Sequence, residues 1–337
     1  MPCLPAEWEH QSGILISWPT KSTDWRDNLP EVEATYLELT TSIAQYSQAY
    51  ICCNDSETRQ HVQRLCSDAN IPIKRFTLFT IPYNDTWTRD YGPICLRKQN
   101  KTVWLNFEFN AWGDKYAHQH DSQLTQSLYQ HLSDKRVLEN IDFVLEGGSI
   151  DSDGKGTILT TSLCLLDPKR NPGLSKEQIS DKLKETLGVQ RVLWLDHGHL
   201  LGDDTDAHID TLARFCSPDT IAYVQCTDPA DTHFKPLSAM EIQLKSFKQT
   251  NGQAYHLIPL PLAQACFNAE AQPLPASYAN FLIINNAVLV PAYGVDSDSL
   301  ALTQLQTAFP GYDIIPIQCR SLIEQFGSLH CITMQML

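Results

Sequence analysis

The chain has 337 residues, with 25 Lys and Arg against 39 Asp and Glu, which gives a formal net charge of −14. Hydrophobic residues make up 42% of the chain and charged residues 19%, enough apolar surface to exclude a largely disordered protein. The acidic balance argues against nucleic acid as a partner, because binding to phosphates depends on Lys and Arg. No run of residues approaches the roughly 20 apolar residues of a membrane span.

The eleven cysteines have no regular spacing and form no Cys-x-x-Cys pair. This pattern argues against a disulfide scaffold and favours reduced thiols. The first residues include Pro5, Glu7 and Glu9, where a signal peptide would carry a basic end and an unbroken apolar run. We therefore expect a cytoplasmic protein that binds neither nucleic acid nor membrane.

Apolar runs of strand length alternate with stretches of helical period, which is the pattern of an α/β chain. Pro30 followed by Glu31 predicts the start of a helix, and Ser175 with Gln178 predicts a capped helix that ends before Gly188. The predicted strands cover residues 14–18, 49–53, 73–79, 103–109, 143–145, 192–195, 221–225, 256–260 and 314–317.

Turn-forming residues between apolar segments predict two hairpins. Their arms are residues 146–150 with 157–161 and residues 280–284 with 287–291. Hairpins argue against a doubly wound parallel sheet and indicate a mixed-sheet unit that is used more than once. The Pro-rich stretch 259–275 is interpreted as a surface loop, so we expect one domain over residues 1–337.

Five polar clusters interrupt these apolar elements, at residues 84–93, 106–113, 145–148, 197–210 and 327–333. The densest, 197–210, holds three His and four Asp and predicts either a metal site or an acid/base site. The His-x-His-x-Asp-His spacing of zinc hydrolases is absent from it. His208 and Asp210 share one face of an extended segment, which suits a base and a carboxylate addressing one substrate. A metal-dependent amidohydrolase built on His197, His199 and the carboxylates of 203–210 stays open as an alternative.

Two further clusters carry candidate reactive groups. Glu146 ends an apolar strand just before two glycines, which permit a ligand or backbone to approach closely. Cys331 follows a Gly-Ser turn and lies beside His330, where nearby positive charge would lower the pKa of a nucleophilic thiol. An inert buried cysteine is the alternative interpretation.

Five motifs follow one another along the chain: Trp-x-Arg-Asp-x-Gly-Pro at 87–93, Phe-Asn-Ala-Trp-Gly at 109–113, Glu-Gly-Gly at 146–148, Gly-Asp-Asp-Thr-Asp-x-His-Ile-Asp at 202–210 and Leu-His-Cys-Ile-Thr at 329–333. In this order they resemble the agmatine deiminase family of the guanidine-modifying (pentein) superfamily, which also includes arginine and peptidyl-arginine deiminases. The resemblance implies a single-domain α/β fold, a five-bladed propeller of pseudo-symmetric ββαβ units, and no metal or organic cofactor.

The resemblance also implies the catalytic residues. Cys331 would be the nucleophile and His208 the acid/base, with carboxylates of Asp90, Glu146 and Asp210 around a guanidinium. On this interpretation the enzyme hydrolyses agmatine to N-carbamoylputrescine and ammonia through a covalent thiouronium intermediate. Deimination of arginine or peptidyl-arginine, and a non-catalytic guanidine or polyamine binding protein, remain alternatives.

The far end of the substrate would be bound by a second set of residues. Trp87 and Trp112 would pack on its methylene chain. Asp203 or Asp204 would meet a cationic tail, and Asp206 completes the predicted binding set. The expected partner is a small cationic guanidino molecule, and assembly into a homodimer is left open.

Overall fold

The computed structural model describes residues 3–98, 101–132 and 136–337. Its helices are α1 (Leu29–Tyr46), α2 (Ser56–Asp68), α3 (Thr88–Tyr91), α4 (Ala111–Asp114), α5 (Asp121–His131), α6 (Ser162–Leu165), α7 (Lys176–Leu187), α8 (Phe234–Ser246) and α9 (Asp298–Ala308). Both predicted helices are confirmed. Pro30 lies in the first turn of α1, while Ser175 and Gln178 form a capping box on α7, which ends at Gly188 with φ 67°.

Strands supply most of the remaining regular structure. They are β1 (Gly13–Ser17), β2 (Gln48–Cys53), β3 (Phe76–Thr80), β4 (Ile94–Lys98), β5 (Lys101–Glu108), β6 (Val137–Val144), β7 (Ile150–Ser152), β8 (Thr157–Thr161), β9 (Arg191–Leu195), β10 (Ala213–Ser217), β11 (Thr220–Gln225), β12 (His256–Pro261), β13 (Cys266–Phe267), β14 (Pro273–Leu274), β15 (Leu282–Ile284), β16 (Ala287–Ala292), β17 (Asp313–Gln318) and β18 (Met334–Met336).

One sheet topology recurs along the chain. The sheets β4-β5-β6, β7-β8-β9, β10-β11-β12 and β15-β16-β17 each join an antiparallel pair to a parallel third strand. Helical segments precede each third strand, because a parallel neighbour requires a crossover connection. The sheet β18-β1-β2-β3 repeats this order and adds one more parallel strand. The predicted mixed α/β class is therefore confirmed.

Some predicted strands differ in their bounds. Residues 73–75 of the predicted strand 73–79 form a 3₁₀ turn, in which the Arg75 amide donates to the Pro72 carbonyl at 2.7 Å. The hairpin arm 146–150 likewise begins as a 3₁₀ turn over Gly147–Ser149, and pairing starts only at Ile150. Strand β10 went unpredicted because its second residue is Arg214, a fully buried charged residue in place of an apolar one.

The chemistry-bearing segments lie between these elements. Helix α3 leads into β4, Glu146 follows β6, a long loop joins β9 to β10, and the turn that contains Cys331 leads into β18. Apolar side chains beneath them, such as Leu15 and Ile332, are fully buried. Within the described ranges, no helix combines the length and apolar content needed to cross a membrane.

Candidate active site

The residues predicted to be catalytic lie together in one buried cluster. They are Asp90 in α3, Glu146 after β6, His208 and Asp210 before β10, and Cys331 before β18. None of the five is more than 4% exposed. Nδ1 of His208 lies 3.7 Å from Oδ1 of Asp90, and Asp90 and Cys331 line the same cavity. Segments from four parts of the chain thus supply one site.

Gly148 packs against the centre of this cluster. A Cβ atom at this position would lie 2.7 Å from Nδ1 of His208, 2.9 Å from Oδ1 of Asp90 and 3.0 Å from Oδ2 of Asp210. Real Cβ atoms do not approach so closely, so any other residue would displace these side chains. The Gly148 amide also donates to Oδ1 of Asp90 at 2.9 Å. The glycine after Glu146 therefore serves close packing around the site.

Cys331 is held by Asn280. The thiol donates to Oδ1 of Asn280 at 3.4 Å, and the backbone amide of Cys331 contacts the same oxygen at 3.4 Å. Burial raises the pKa of the Cys331 thiol well above its ordinary value, and the negative charges of Asp210 and Asp90 raise it further. The empty site therefore holds the protonated thiol, and a bound cation would favour the thiolate.

Asp90 is oriented by an indole. Its Oδ2 accepts from Nε1 of Trp112 at 2.9 Å, while Oδ1 accepts from the Gly148 amide. Burial raises the pKa of the Asp90 carboxyl, and the nearby charges of Asp210 and Glu146 add to the increase. Trp112 has φ 58°, a left-handed conformation, which turns its ring toward Asp90.

Asp210 is bound by the imidazole of His330. Its Oδ2 accepts from Nδ1 of His330 at 2.7 Å, and its backbone carbonyl accepts from Nδ2 of Asn280 at 3.3 Å. Burial alone would raise the pKa of the Asp210 carboxyl. The hydrogen bond and charge of His330 outweigh burial and lower that pKa below its ordinary value. Asp210 is therefore an ionised carboxylate at neutral pH.

Glu146 is fully buried against Arg170. Oε1 of Glu146 accepts from Nε of Arg170 at 2.8 Å. Arg170 also donates to Oδ2 of Asp206 at 2.9 Å and to the Thr205 carbonyl at 3.1 Å. Burial opposes the charge of Arg170, but these anions raise the pKa of its guanidinium above the ordinary value. Arg170 thus connects the loop that precedes His208 to the carboxylate of Glu146.

Several buried polar atoms of the cluster have no hydrogen-bond partner among the described residues. They are Oε2 of Glu146, Oδ1 of Asp210 and both ring nitrogens of His208. Buried polar groups in proteins are nearly always paired, and an unpaired one costs about 1–3 kcal/mol. Their concentration at one place indicates that a polar ligand pairs with them.

A cavity leads from the surface to Asp90 and Cys331. Its lining residues are Asp24, Asp85, Trp87, Asp90, Trp112, Tyr116, Asp204, Thr205, Gln325, Phe326, Gly327 and Cys331. The predicted binding residues Trp87, Trp112 and Asp204 are among them. Asp85 accepts from Nε1 of Trp87 at 3.1 Å, and burial raises the pKa of the Asp85 carboxyl to about 7. The cavity thus combines aromatic walls with carboxyl groups.

The acidic loop 203–206 is largely paired within the protein. Asp203 does not line the cavity, and its two oxygens accept from the Thr205 hydroxyl at 2.6 Å and from the Ala207 amide at 2.6 Å. Asp204 lines the cavity and contacts Lys115 at 3.2 Å and the Tyr116 hydroxyl at 2.6 Å.

Asp206 is also absent from the cavity lining, and it bridges Arg170 and Lys115. Burial opposes these contacts, but the hydrogen bond and charge of Arg170 lower the pKa of the Asp206 carboxyl. The structure therefore places one of the three predicted tail carboxylates at the cavity, while Asp203 is bound within its own loop and Asp206 pairs with Arg170 and Lys115.

The alternative metal site does not assemble. His197 and His199 are exposed and join no group of ligand-sized spacing within the part of the chain that the structure describes. The group that does come together is Glu146, Cys164 and His208, whose ligand atoms lie within 4.8 Å of one another. Two of these three belong to the cluster described above.

Sequence reasoning gave no role to several residues that shape the site. Asn280 begins the predicted hairpin arm 280–284, so it was visible as a polar residue at the start of an apolar strand, whereas Arg170 lies outside the predicted strands and the five polar clusters. Asp85 lies two residues before Trp87 in the first polar cluster, and its position could have indicated a binding role. No local signal identifies Tyr116 or Asp24, whose proximity to the cavity depends on the tertiary fold.

Comparisons with known proteins agree with this geometry. Residues 3–336 match the family described as Porphyromonas-type peptidyl-arginine deiminase. A Vibrio parahaemolyticus protein, provisionally named agmatine deiminase, is 34% identical, with 98% of this chain and 96% of that protein covered. The structure of C. jejuni agmatine deiminase with substrate bound is 36% identical and has a TM-score of 0.92. The match covers all of this chain and 96% of that chain. A structure provisionally described as arginine deiminase from Porphyromonas gingivalis is 45% identical, with a TM-score of 0.92 and coverage of 99% and 98%.

Proposed function

Because the chain belongs to this deiminase family, which includes proteins named agmatine deiminase, we propose that it hydrolyses agmatine to N-carbamoylputrescine and ammonia. The observation that carries the proposal is the set of unpartnered, buried polar atoms of Glu146, His208 and Asp210 beside Cys331. A guanidinium presents planar N–H edges and a permanent positive charge, so it complements carboxylates of this kind.

The bound cation compensates for the negative charge of the cluster. Burying a guanidinium without partners would be prohibitive, and Asp90, Glu146 and Asp210 provide the required carboxylates. The same cation reduces the field that suppresses the Cys331 thiolate. Substrate binding therefore activates the nucleophile, which would remain a thiol in the empty enzyme.

The first half-reaction transfers the amidino group to the enzyme. The thiol proton passes to His208, and the Cys331 thiolate attacks the guanidinium carbon. His208 then returns the proton to a departing nitrogen, which leaves as ammonia. The C–N bond to the departing nitrogen breaks while the newly formed C–S bond is kept, and a positively charged thiouronium remains on Cys331.

The second half-reaction hydrolyses that intermediate. Neutral His208 takes a proton from water as the water oxygen attacks the thiouronium carbon. Collapse breaks the C–S bond and gives the neutral ureido product, and one of the two water protons returns to the sulfur of Cys331. His208 releases the other proton to solvent, where it converts the ammonia released earlier to ammonium, so atoms and charges balance. The proposed steps use groups of this chain and water.

The cavity favours an amine tail over a carboxylate tail. Trp87 and Trp112 would pack on the methylene chain of the substrate. Carboxyl groups of Asp24, Asp85 and Asp204 line the same space, so a second cation is attracted and an anion repelled. Agmatine carries an amine at this end, whereas arginine also carries a carboxylate.

We also propose that the five repeated sheets are the blades of a five-bladed α/β propeller, within one catalytic domain over residues 1–337. The recurring antiparallel pair with a parallel third strand supports this arrangement, because pseudo-symmetric ββαβ units would give that topology five times. The free cysteines suit the predicted cytoplasmic location.

Ammonia release tests the function. The purified protein is assayed with agmatine, free arginine and an arginine-containing peptide, beside the Cys331→Ala variant. We expect release from agmatine at a higher kcat/KM than from either arginine substrate, and none from the variant. Preference for an arginine substrate would contradict the agmatine assignment, and turnover by Cys331→Ala would contradict the mechanism.

A further inference from the structure

The imidazole of His330 connects Asp210 to a carboxylate that the proposed reaction does not use. Nδ1 of His330 contacts Oδ2 of Asp210 at 2.7 Å, and Nε2 contacts Oε2 of Glu7 at 3.0 Å. His330 is 2% exposed and Glu7 5% exposed, so water does not screen these contacts. Glu7, near the start of the chain, is thereby coupled to the active site.

The two contacts define the protonation of the His330 ring. An ionised carboxylate only accepts hydrogen bonds, so a ring held between two ionised carboxylates donates from both nitrogens. Burial opposes ionisation of Glu7, but the charge of Arg214 lowers the pKa of its carboxyl well below the ordinary value. Asp210 is likewise ionised. The pairing of the ring with two carboxylates therefore favours a proton on each nitrogen, the imidazolium form.

A buried arginine fixes the far end of this chain of contacts. Nη2 of Arg214 contacts Glu7, while Nε donates to Oδ1 of Asp151 at 3.0 Å and Nη1 donates to the Phe281 carbonyl at 2.9 Å. The other oxygen of Glu7 accepts from the Ile283 amide at 2.9 Å. Both oxygens of Glu7 are therefore held, and its charge is balanced within the protein.

We propose that Glu7 and His330 are positioning residues that hold Asp210 by one oxygen and leave its other oxygen for the substrate guanidinium. The inference rests on the proposed function for the identity of the ligand. Its structural basis is the pairing of Oδ2 with His330, while Oδ1 has no partner among the described residues. A carboxylate held on one side presents a fixed acceptor and loses less entropy on binding.

The surrounding elements place several titratable or charged groups close to His330 and Asp210: Glu7, Arg89, Asp90, His208, Arg214 and Cys331. Without the imidazolium, the negative charge of Asp90 would raise the pKa of Asp210 and favour protonation of the oxygen that binds substrate. The positioning role therefore has a consequence for the pH dependence of binding.

The wild-type protein provides the first test. With ¹⁵N-labelled histidine, NMR reports whether each ring nitrogen carries a proton, and His330→Gln identifies the signal. We expect both nitrogens of His330 to be protonated at neutral pH with no substrate present. A ring with one unprotonated nitrogen would overturn the proposal. This result does not depend on turnover, so it distinguishes failure of the positioning role from failure of the proposed function.

The second test compares two carboxamide substitutions on one segment. Glu7→Gln removes the charge beside His330, while Glu9→Gln makes the same change two residues along, where Glu9 pairs with the exposed Arg97. For Glu7→Gln we expect the acid limb of the agmatine kcat/KM profile to move up by about one pH unit. Relative to the wild-type protein, kcat/KM would fall roughly tenfold at the acid end of the profile and less at higher pH.

For Glu9→Gln we expect the wild-type profile. An equal loss at every pH in Glu7→Gln would indicate a merely structural role and overturn the proposal, as would the same shift in both variants. If Glu7→Gln does not fold, the NMR measurement on the wild-type protein decides. If the wild-type protein releases no ammonia from agmatine, the proposed function fails while the NMR result still stands.

Discussion

Two groups of carboxylates near the cavity differ in what they already bind. In the inner group, Glu146 and Asp210 each keep one oxygen without a partner among the described residues. In the loop 203–206, both oxygens of Asp203 accept from its own loop, and Asp206 contacts Arg170 and Lys115. A high density of acidic residues in the sequence therefore indicates the loop, whereas carboxylate oxygens without a hydrogen-bond partner indicate the candidate ligand site.

The inner group should control turnover through Cys331, so removing the thiol gives the largest effect. Cys331→Ala should lower kcat for agmatine by about 10³-fold or more, because no other group supplies the nucleophile. Release of ammonia measures the change. Cys226→Ala is the control, since the Cys226 thiol donates to the Asp228 carbonyl of its own loop and does not line the cavity, and activity should be retained. Comparable losses of kcat in both variants would show that the loss arises from impaired folding and not from removal of the nucleophile.

Crowding the inner group should be nearly as severe. Gly148→Ala places a methyl group 2.7 Å from Nδ1 of His208 and should lower kcat/KM by about 10²-fold or more through displaced catalytic groups. Gly173→Ala is the control for turnover. Its Cβ would meet nothing within 4 Å, so kcat/KM should be unchanged, while its φ of 82° should lower the melting temperature. An active Gly148→Ala protein would refute the close packing described around the cluster.

Removing one donor to the inner group should have an intermediate effect. Trp112→Phe keeps an aromatic wall but removes the hydrogen bond to Asp90, which should lower kcat/KM for agmatine by roughly tenfold. The matched control is Trp104→Phe, because the indole nitrogen of Trp104 has no partner among the described residues. Equal kinetics for the two variants would show that the Trp112 hydrogen bond does not orient Asp90.

The cavity wall adds a pH dependence that the paired loop should lack. Burial raises the pKa of Asp85 to about 7, so this carboxyl gains its charge as pH rises through neutrality. KM for agmatine should therefore fall several-fold between about pH 6 and 8, and Asp85→Asn should flatten that dependence. An unchanged slope in Asp85→Asn would assign the effect to another group.

The raised pKa of the Asp85 carboxyl also determines the sign of its contribution to stability as pH changes. A raised acid pKa means that the unfolded chain ionises first, so Asp85 lowers stability as pH rises from about 4 toward 7. The melting temperature of Asp85→Asn, relative to that of the wild-type protein at the same pH, should therefore rise as pH increases over that range. A fall in that difference would contradict burial as the cause of the shift.

The smallest effects should separate two neighbours in the loop. Asp204→Asn should raise KM for agmatine by about threefold, because this carboxylate lines the cavity and is already shared with Lys115. Asp203→Asn should instead lower the melting temperature with little change in KM, since it removes acceptors within the loop. The reverse pattern would exchange the roles of the two residues.

The sequence was most informative where a local pattern determines the structure. The capping box at Ser175 and the strand periods required no distant information, and the motifs led to the prediction that Cys331 and His208 are catalytic. Contacts across the fold were not accessible in this way. The pairing of Glu7 with Arg214 joins residues separated by 207 positions, and nothing in either segment encodes the other. Asp203 is a different case, because its partners Thr205 and Ala207 are local and the acidic residues around it favoured a ligand-binding interpretation over a carboxylate bound within its own loop.

A mass measurement on the enzyme tests the central claim most directly. Wild-type protein is mixed with agmatine, quenched in acid during turnover and digested, and the peptide that contains Cys331 is analysed. We expect a mass increase equal to agmatine less ammonia on Cys331 alone, and no such increase in the Cys331→Ala protein. Turnover of agmatine without that adduct, or an adduct on another cysteine such as Cys164, would contradict Cys331 as the nucleophile of this site.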